Sequence, residues 1–329
     1  MKPPFLSVII PAYNCAKCIG AALESVAVQS FGDFEVIVVD DGSTDETARI
    51  VGGFSAKDNR FRVVRQQNAG PSAARRNGLS YAAGEYVYIM DADDFLVQEC
   101  FAAFYSTVAE TAADMVFISI ATESEEGEVL SVSPAFPDKS VITNMDMLKH
   151  MLTGYGAVAM YSYFVKRRIF DDRIKWYDDM CVGEDGLVTI QLVYYSGSFA
   201  VIQSPPLYRY IRRTGSLSSG RFSVKKAADS ILYPERIRDF FRDKPEYAGM
   251  PEMLFAIKAL TYASLLSHGY FKDASKLSGD IIEGLRSYPT VKRLHLVHAF
   301  IKPMRLFAVN WLLGRIFCQY YIAKGKIDY

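Results

Sequence analysis

The 329-residue chain contains neither of the glycine-rich signatures that cradle a phosphate directly, the GxGxxG turn and the GxxxxGK[ST] loop. Their absence excludes the usual dinucleotide-binding and P-loop chemistry, which needs backbone N–H groups brought close by glycine. No stretch approaches the roughly 18 apolar residues of a membrane-spanning helix. Charge of either sign is not in excess, with 37 Lys+Arg against 37 Asp+Glu, so no overall field points to nucleic acid as partner. Cysteine is sparse and odd in number at five, which argues against a disulfide framework and for a reducing, cytoplasmic compartment. With only four histidines, all distant in sequence, the pair Cys15–Cys18 lacks the further ligands a zinc site requires. Repeats and low-complexity segments are missing. The opening "MKPPFLSVII" reads as a strand and not as a signal peptide.

What is present is a globular composition, half of it hydrophobic, arranged in two periodicities over the first 120 residues. Apolar runs of strand length at Phe5–Ile10, Phe34–Val39, Phe61–Val64, Tyr86–Met90 and Met115–Ile120 alternate with helical spacing at about 15–29, 44–54, 72–83 and 97–112. Strands apolar on both faces and separated by helices predict a mostly parallel sheet covered on both sides. Beyond it, "ESEEGEVL" reads as an acidic turn into a strand, 144–152 and 184–195 as helices, and 199–211 as two short strands broken at Pro205-Pro206. From Phe222 onward the pattern is mainly helical.

In such sheets ligands bind at the carboxyl ends of the strands, and polar groups follow each of the first four. Pro11, Ala12, Tyr13 and Asn14 end the first run and Asp40-Asp41-Gly42-Ser43 the second. Asn68, Gly70 and Arg75 follow the third, and Asp91-Ala92-Asp93-Asp94 the fourth. Three aspartates in four positions raise one another's cost of ionisation, so an opposing charge is expected there. If strand geometry persists, Asp91 and Asp93 share a face, and one can ligate a divalent cation such as Mg²⁺ while the other meets a hydroxyl. Asp94, before a helix expected near Phe95, reads in part as its N-cap. Asp41-Gly42 is a turn signal, and Ser43 or Thr44 with Glu46 or Thr47 resembles a capped helix start. Asp40 or Asp41 is left as an acceptor for donor groups on a base.

Six segments in order, "SVIIPAYN", "SVAVQSF", "EVIVVDDGSTDET", "NAGPSAARRNGL", "GEYVYIMDADD" and "GED", resemble the family 2 glycosyltransferases, nucleotide-sugar enzymes of the GT-A fold. The likeness covers roughly residues 5 to 215. It implies an α/β GT-A domain at 1–220, with a nucleotide-sugar half at 1–120 and an acceptor half at 121–220, followed by a mainly helical region at 221–329. It places Pro11, Ala12, Tyr13, Asp40 and Asp41 in the pocket for the base, and Arg75 near the base or phosphates. The family's Ala-Arg-Asn is Ala74-Arg75-Arg76-Asn77 here, which leaves open which arginine faces the donor. Within the DxD motif, Asp91, beside Ala92, would contact the ribose and metal region, and Asp93 would ligate Mn²⁺ or Mg²⁺. Asp185 would be the catalytic base with Glu184 beside it; the structural alternative is favourable charge in a first helical turn. In "YRYIRRTGSLS", Arg212 or Arg213 would fold over the diphosphate as a lid, or belong to a solvated loop. Trp176 and Tyr177 are stacking candidates for a sugar face, or ordinary partly buried aromatics.

The implied activity is inverting transfer from a nucleoside-diphosphate sugar, taken as a UDP-sugar, to a glycan or lipid-linked acceptor of a surface polysaccharide. Two rivals remain at this point: a sugar-phosphate nucleotidyltransferase, whose glycine-rich basic signature "PAYNCAKC" does not supply, and a non-catalytic module of the same fold. The last stretch, from Gly284 to Tyr329, is basic and apolar, with Asp328 its only acid. It is expected either at an anionic membrane surface, keeping the enzyme peripheral on the inner face, or packed on the catalytic domain or on a second subunit of a homodimer.

Overall fold

The computed structural model describes residues 2–133, 143–152, 159–213, 222–244 and 250–280. The basic, apolar C-terminal stretch and the "TGSLSSG" that follows Arg213 lie outside the described residues. The chain divides into two units, Met1–Met180 with Glu184–Gly220, and Cys181–Gly183 with Arg221–Tyr329.

In the first unit, β1 (Leu6–Ala12), β2 (Phe34–Asp40), β3 (Phe61–Arg65) and β4 (Tyr86–Ile89) alternate with α1 (Ile19–Ala27), α2 (Thr47–Ser55) and α3 (Pro71–Tyr81). They are followed by β5 (Phe95–Leu96), α4 (Cys100–Thr111), β6 (Met115–Ile118), β7 (Ile120–Ser124), β8 (Val129–Ser133) and α5 (Asn144–Leu152). The unit closes with β9 (Tyr163–Lys166), α6 (Glu184–Tyr195), β10 (Phe199–Ile202) and β11 (Tyr208–Arg212). A seven-stranded sheet runs β10-β6-β9-β4-β1-β2-β3, and a four-stranded sheet β5-β11-β7-β8. Only β9 in the larger sheet is antiparallel, to both β4 and β6. The sequence reading did not find it, since "YFVK" is too short to show a period.

The core explains the order. β1 lies between β2 and β4, and Leu6, Val8, Ile9 and Ile10 are fully buried, as expected of a strand covered on both faces. α1 buries Ile19, Ala22, Leu23 and Val26, the i, i+3, i+4, i+7 stripe of a helix laid on a sheet. α3 packs against β1 because Gly78 has no side chain: a Cβ there would stand 2.5 Å from Ile9 Cγ2. Below the sheet, Phe164 stacks on Tyr88 at 4.3 Å and on Phe104 at 4.0 Å between ring centroids.

Two expected elements are corrected. The run 115–120 is two strands, because buried Ser119 receives the Leu207 N–H at 3.1 Å where the chain passes from one sheet to the other. The helix expected near Phe95 begins at Cys100, and a short strand precedes it.

In the second unit, α7 (Val224–Phe241), α8 (Met250–Ser267) and α9 (Phe271–Ser275) close on a small core of Ala227, Phe255, Leu265, Ala274 and Leu277. Ser223 caps α7 by accepting the Lys226 N–H at 3.2 Å.

Candidate active site

The parallel strands β1, β2 and β4 deliver their following loops to one rim of the sheet. The first two loops are tied together: the N–H groups of Asn14, Cys15 and Ala16 donate to Ser43 Oγ, Thr47 Oγ1 and Asp45 Oδ2 at 3.0, 2.9 and 3.1 Å. Asn14, at φ +48, returns the bond by accepting the Thr44 N–H at 2.9 Å; asparagine tolerates this left-handed backbone better than most residues. The expected cap at Ser43 or Thr44 is therefore not made. α2 starts at Thr47 without a side-chain cap, and Ser43 serves the neighbouring loop. Tyr13 projects from this rim, 51% exposed, beside buried Ala12 and half-buried Pro11.

Asp40 and Asp41 turn out to build the rim. Both are buried. Asp40 accepts the Ser43 N–H at 2.9 Å and faces Arg65 at 3.2 Å. Asp41 accepts from Gln66 Nε2 and the Ala69 N–H, both at 2.8 Å, and from the Gly70 N–H at 2.9 Å. Gly42, at φ +74, brings the chain so close to this third loop that a Cβ would stand 2.9 Å from the Asn68 nitrogen. Protein N–H donors hold both oxygens of Asp41, whereas Asp40 Oδ2 faces Arg65 and has no hydrogen-bond partner among the described residues.

The aspartates after β4 behave differently. The strand stops at Ile89 and residues 91–94 form a turn, closed by the Asp94 N–H on the Asp91 carbonyl at 3.4 Å. The alternation expected for Asp91 and Asp93 is therefore lost, and they meet different arginines. Asp91 lies 3.3 Å from Arg75 and Asp93 lies 3.2 Å from Arg213. Burial, then the charge of Asp91, raises the Asp93 carboxyl above its ordinary range, against the pull of Arg213. Asp94 is not a helix cap. It is fully buried, accepting from Tyr208 Oη at 2.7 Å and from the Ile211 N–H at 2.8 Å. Burial, and then Asp91 and Asp93, push it to about 8. Tyr208 also accepts the Asp91 N–H at 3.4 Å and stacks on Tyr161 at 4.6 Å. Tyr208 thus joins both ends of the aspartate turn to β11, the strand that leads to Arg213. Sequence reasoning missed this clamp; the third aspartate after an apolar run was its only visible sign.

From α3, Arg75 enters the same cluster. It is buried and reaches Glu184 at 3.2 Å as well as Asp91. Burial opposes its charge, but Asp91, Asp185 and Glu184 together hold the guanidinium protonated. Arg76 points elsewhere, to Asp178 at 2.8 Å, so Arg75 is the arginine among the site carboxylates. Glu184 and Asp185 open α6, where their charge suits the helix's first turn. Asp185 receives the Gly186 N–H at 2.8 Å. Burial first, then the Glu184 charge, lift it to about 6, with Arg75 pulling the other way. Arg212 is exposed at the end of β11. Tyr177 is buried and Trp176 half-buried beside Phe170, which makes Tyr177 a packing residue.

A sequence model described as glycosyl transferase family 2 matches residues 7–173. The chain belongs to glycosyl transferase family 2. This family 2 chain is 31% identical over 221 residues to glycosyltransferase GlyA of Streptococcus pneumoniae serotype 4, covering 65% of this chain and 31% of that one. It therefore spans about a third of GlyA. To glycosyltransferase GlyG of the same organism it is 28% identical, over 71% of this chain and 80% of GlyG. Among solved structures it is similar to residues 1–349 of S. aureus TarS in complex with UDP-GlcNAc, with a TM-score of 0.71 at 23% identity, covering 98% of this chain and 92% of that chain. The family 2 chain thus has a GT-A-like fold, with a mixed central sheet flanked by helices.

Proposed function

We propose that this protein transfers a sugar from a UDP-sugar to a hydroxyl of a glycan or lipid-linked acceptor in bacterial surface-polysaccharide synthesis, inverting the anomeric centre. The observation that carries this reading is the convergence of Asp91, Asp93, Arg75, Glu184 and Asp185 on one rim from three distant parts of the chain. The UDP-GlcNAc in TarS supports a uridine donor.

Asp185, lifted to about 6, is ionised near neutrality and yet basic enough to take a proton in the transition state. It removes the proton of the acceptor hydroxyl as that oxygen bonds the anomeric carbon and the bond to the diphosphate breaks. A single displacement inverts the centre. Arg75, held by Asp91 and Glu184, keeps Asp185 from rising further. Arg213, beside Asp93, supplies positive charge to the departing diphosphate.

A divalent cation, Mn²⁺ or Mg²⁺, fits this donor set. Asp91 and Asp93 offer hard carboxylate oxygens, and the elevation of Asp93 by burial and by Asp91 is the mark of negative charge in want of a cation. Among the described residues no cluster of three or more His, Cys, Asp or Glu forms a cage; Asp91 and Asp93 would hold the ion together with substrate phosphates. When bound, it would neutralise charge on the leaving diphosphate. A thermal-shift panel of nucleotide sugars with and without Mn²⁺ tests the proposal: a UDP-sugar should raise Tm in a Mn²⁺-dependent way. No shift with any nucleotide sugar would overturn it.

A further inference from the structure

Cys15 and Cys18 take no part in the proposed transfer, yet they stand on the loop that leaves β1 for the site. The N–H groups of Cys18 and Ile19 both donate to the Cys15 carbonyl, at 3.0 and 2.9 Å, so residues 15–18 form a tight turn into α1. Turns of this kind bring the first and fourth Cα within about 7 Å, inside the reach of a disulfide. The Cys18 sulfur lies 3.3 Å from the Cys15 carbonyl oxygen, and the Cys15 sulfur accepts from the Thr47 hydroxyl at 3.9 Å. Both side chains are half-buried, whereas Cys100 is sealed in the core. Cys18 precedes the first residue of α1, where the positive end of a helix favours the reactive thiolate.

This turn is coupled to the donor pocket. Its backbone makes two of the three bonds that clasp the first two loops, to Thr47 and Asp45, and Asn14 just before it makes the third, to Ser43. Tyr13 projects two residues before it, and Cys18 lies within electrostatic reach of Asp93 and Arg213. A sulfur–sulfur bond of about 2.05 Å is shorter than any contact between unbonded thiols, so closing it tightens the turn and draws on the clasp.

We propose that Cys15 and Cys18 are a dithiol modification site, closed to an intramolecular disulfide by a low-molecular-weight disulfide such as oxidised glutathione, and that closure weakens donor binding. The first half is independent of the proposed transfer; the second rests on it. The Cys18 thiolate attacks one sulfur of oxidised glutathione and expels one glutathione thiolate. The Cys15 sulfur, giving up its proton, then attacks the Cys18 sulfur of the mixed disulfide and expels the second. The protein dithiol loses two electrons and two protons, and one oxidised glutathione becomes two reduced ones.

Lys17 lies between the two cysteines, so trypsin reports the bond directly. The full chain is treated with oxidised glutathione, digested without reductant and mapped by mass. Peptides carrying Cys15 and Cys18 should appear as one cross-linked species that dithiothreitol separates, and Cys15→Ser should leave a glutathione adduct on Cys18. Calorimetry with UDP and Mn²⁺ should show affinity falling about fivefold or more on oxidation, recovering with dithiothreitol, and staying level in Cys15→Ser. A glutathione adduct without the cross-link overturns the dithiol site. A cross-link with unchanged UDP affinity overturns the coupling. Failure of the reduced protein to bind UDP overturns the coupling and the transferase reading together, while leaving the cross-link to be judged by mass alone.

Discussion

Two groups of carboxylates follow parallel strands of one sheet, and they are put to opposite uses. After β2, Asp41 is surrounded by three donors from the protein itself and Asp40 is set between the Ser43 N–H and Arg65, and their oxygens hold the second and third loops in place. After β4 and at the start of α6, carboxylates outnumber the two arginines that face them, and Asp93, Asp94 and Asp185 are all raised above the ordinary range. Carboxylates given enough N–H donors become architecture, while carboxylates crowded together with too few partners keep an affinity for protons and cations.

The sharpest way to break this comparison is Asp185→Asn, which keeps the shape and removes the base. Transfer should fall by about 10²–10⁴-fold with UDP-sugar affinity retained, measured by steady-state kinetics beside calorimetry; unimpaired turnover would dismiss Asp185 as the base. The same kinetics across pH should show kcat climbing as pH rises through about 6, since Asp185 must be ionised to accept a proton.

Asp93→Ala comes next. The Mn²⁺-dependent part of nucleotide binding should disappear, costing tenfold or more in affinity by the general size of such coordination losses, about 1.4 kcal/mol per decade. Retention of the Mn²⁺ effect would put the cation elsewhere. Asp41→Asn is expected to act on stability instead: its amide cannot satisfy all three donors now on the carboxylate, at a cost of about 1–3 kcal/mol. A melting temperature equal to the parent's would contradict the structural role given to Asp41.

The smallest effect is the most discriminating. Glu184→Gln keeps an oxygen for Arg75 and deletes the charge that, after burial, does most to lift Asp185. The acidic limb of the kcat–pH profile should move to lower pH by less than about one unit. Movement in the other direction would mean that the variant acts through Arg75.

Much of this site was legible along the chain. Apolar runs marked the strands that lead to Tyr13, Asp41 and Asp91, and the order of six short motifs pointed to the family. α6 begins at Glu184, where the sequence suggested it would. The clamp of Asp94 on Tyr208 was hidden, because 114 residues separate the partners and only the third aspartate after an apolar run hinted at it. The choice between Arg75 and Arg76 was equally closed to sequence: adjacent helical positions differ by about 100° in direction, and only packing says which side is inward.

By itself the sequence determined that strands would alternate with helices, that their ends would be polar and that carboxylates would gather near residues 91–94, since periodicity and residue type are local properties. Only the tertiary structure decided which carboxylates are satisfied. A charge's surroundings come from whatever the fold brings within a few ångströms of it, and around Asp41 the fold brings N–H groups, whereas around Asp185 it brings Glu184 and a single shared arginine.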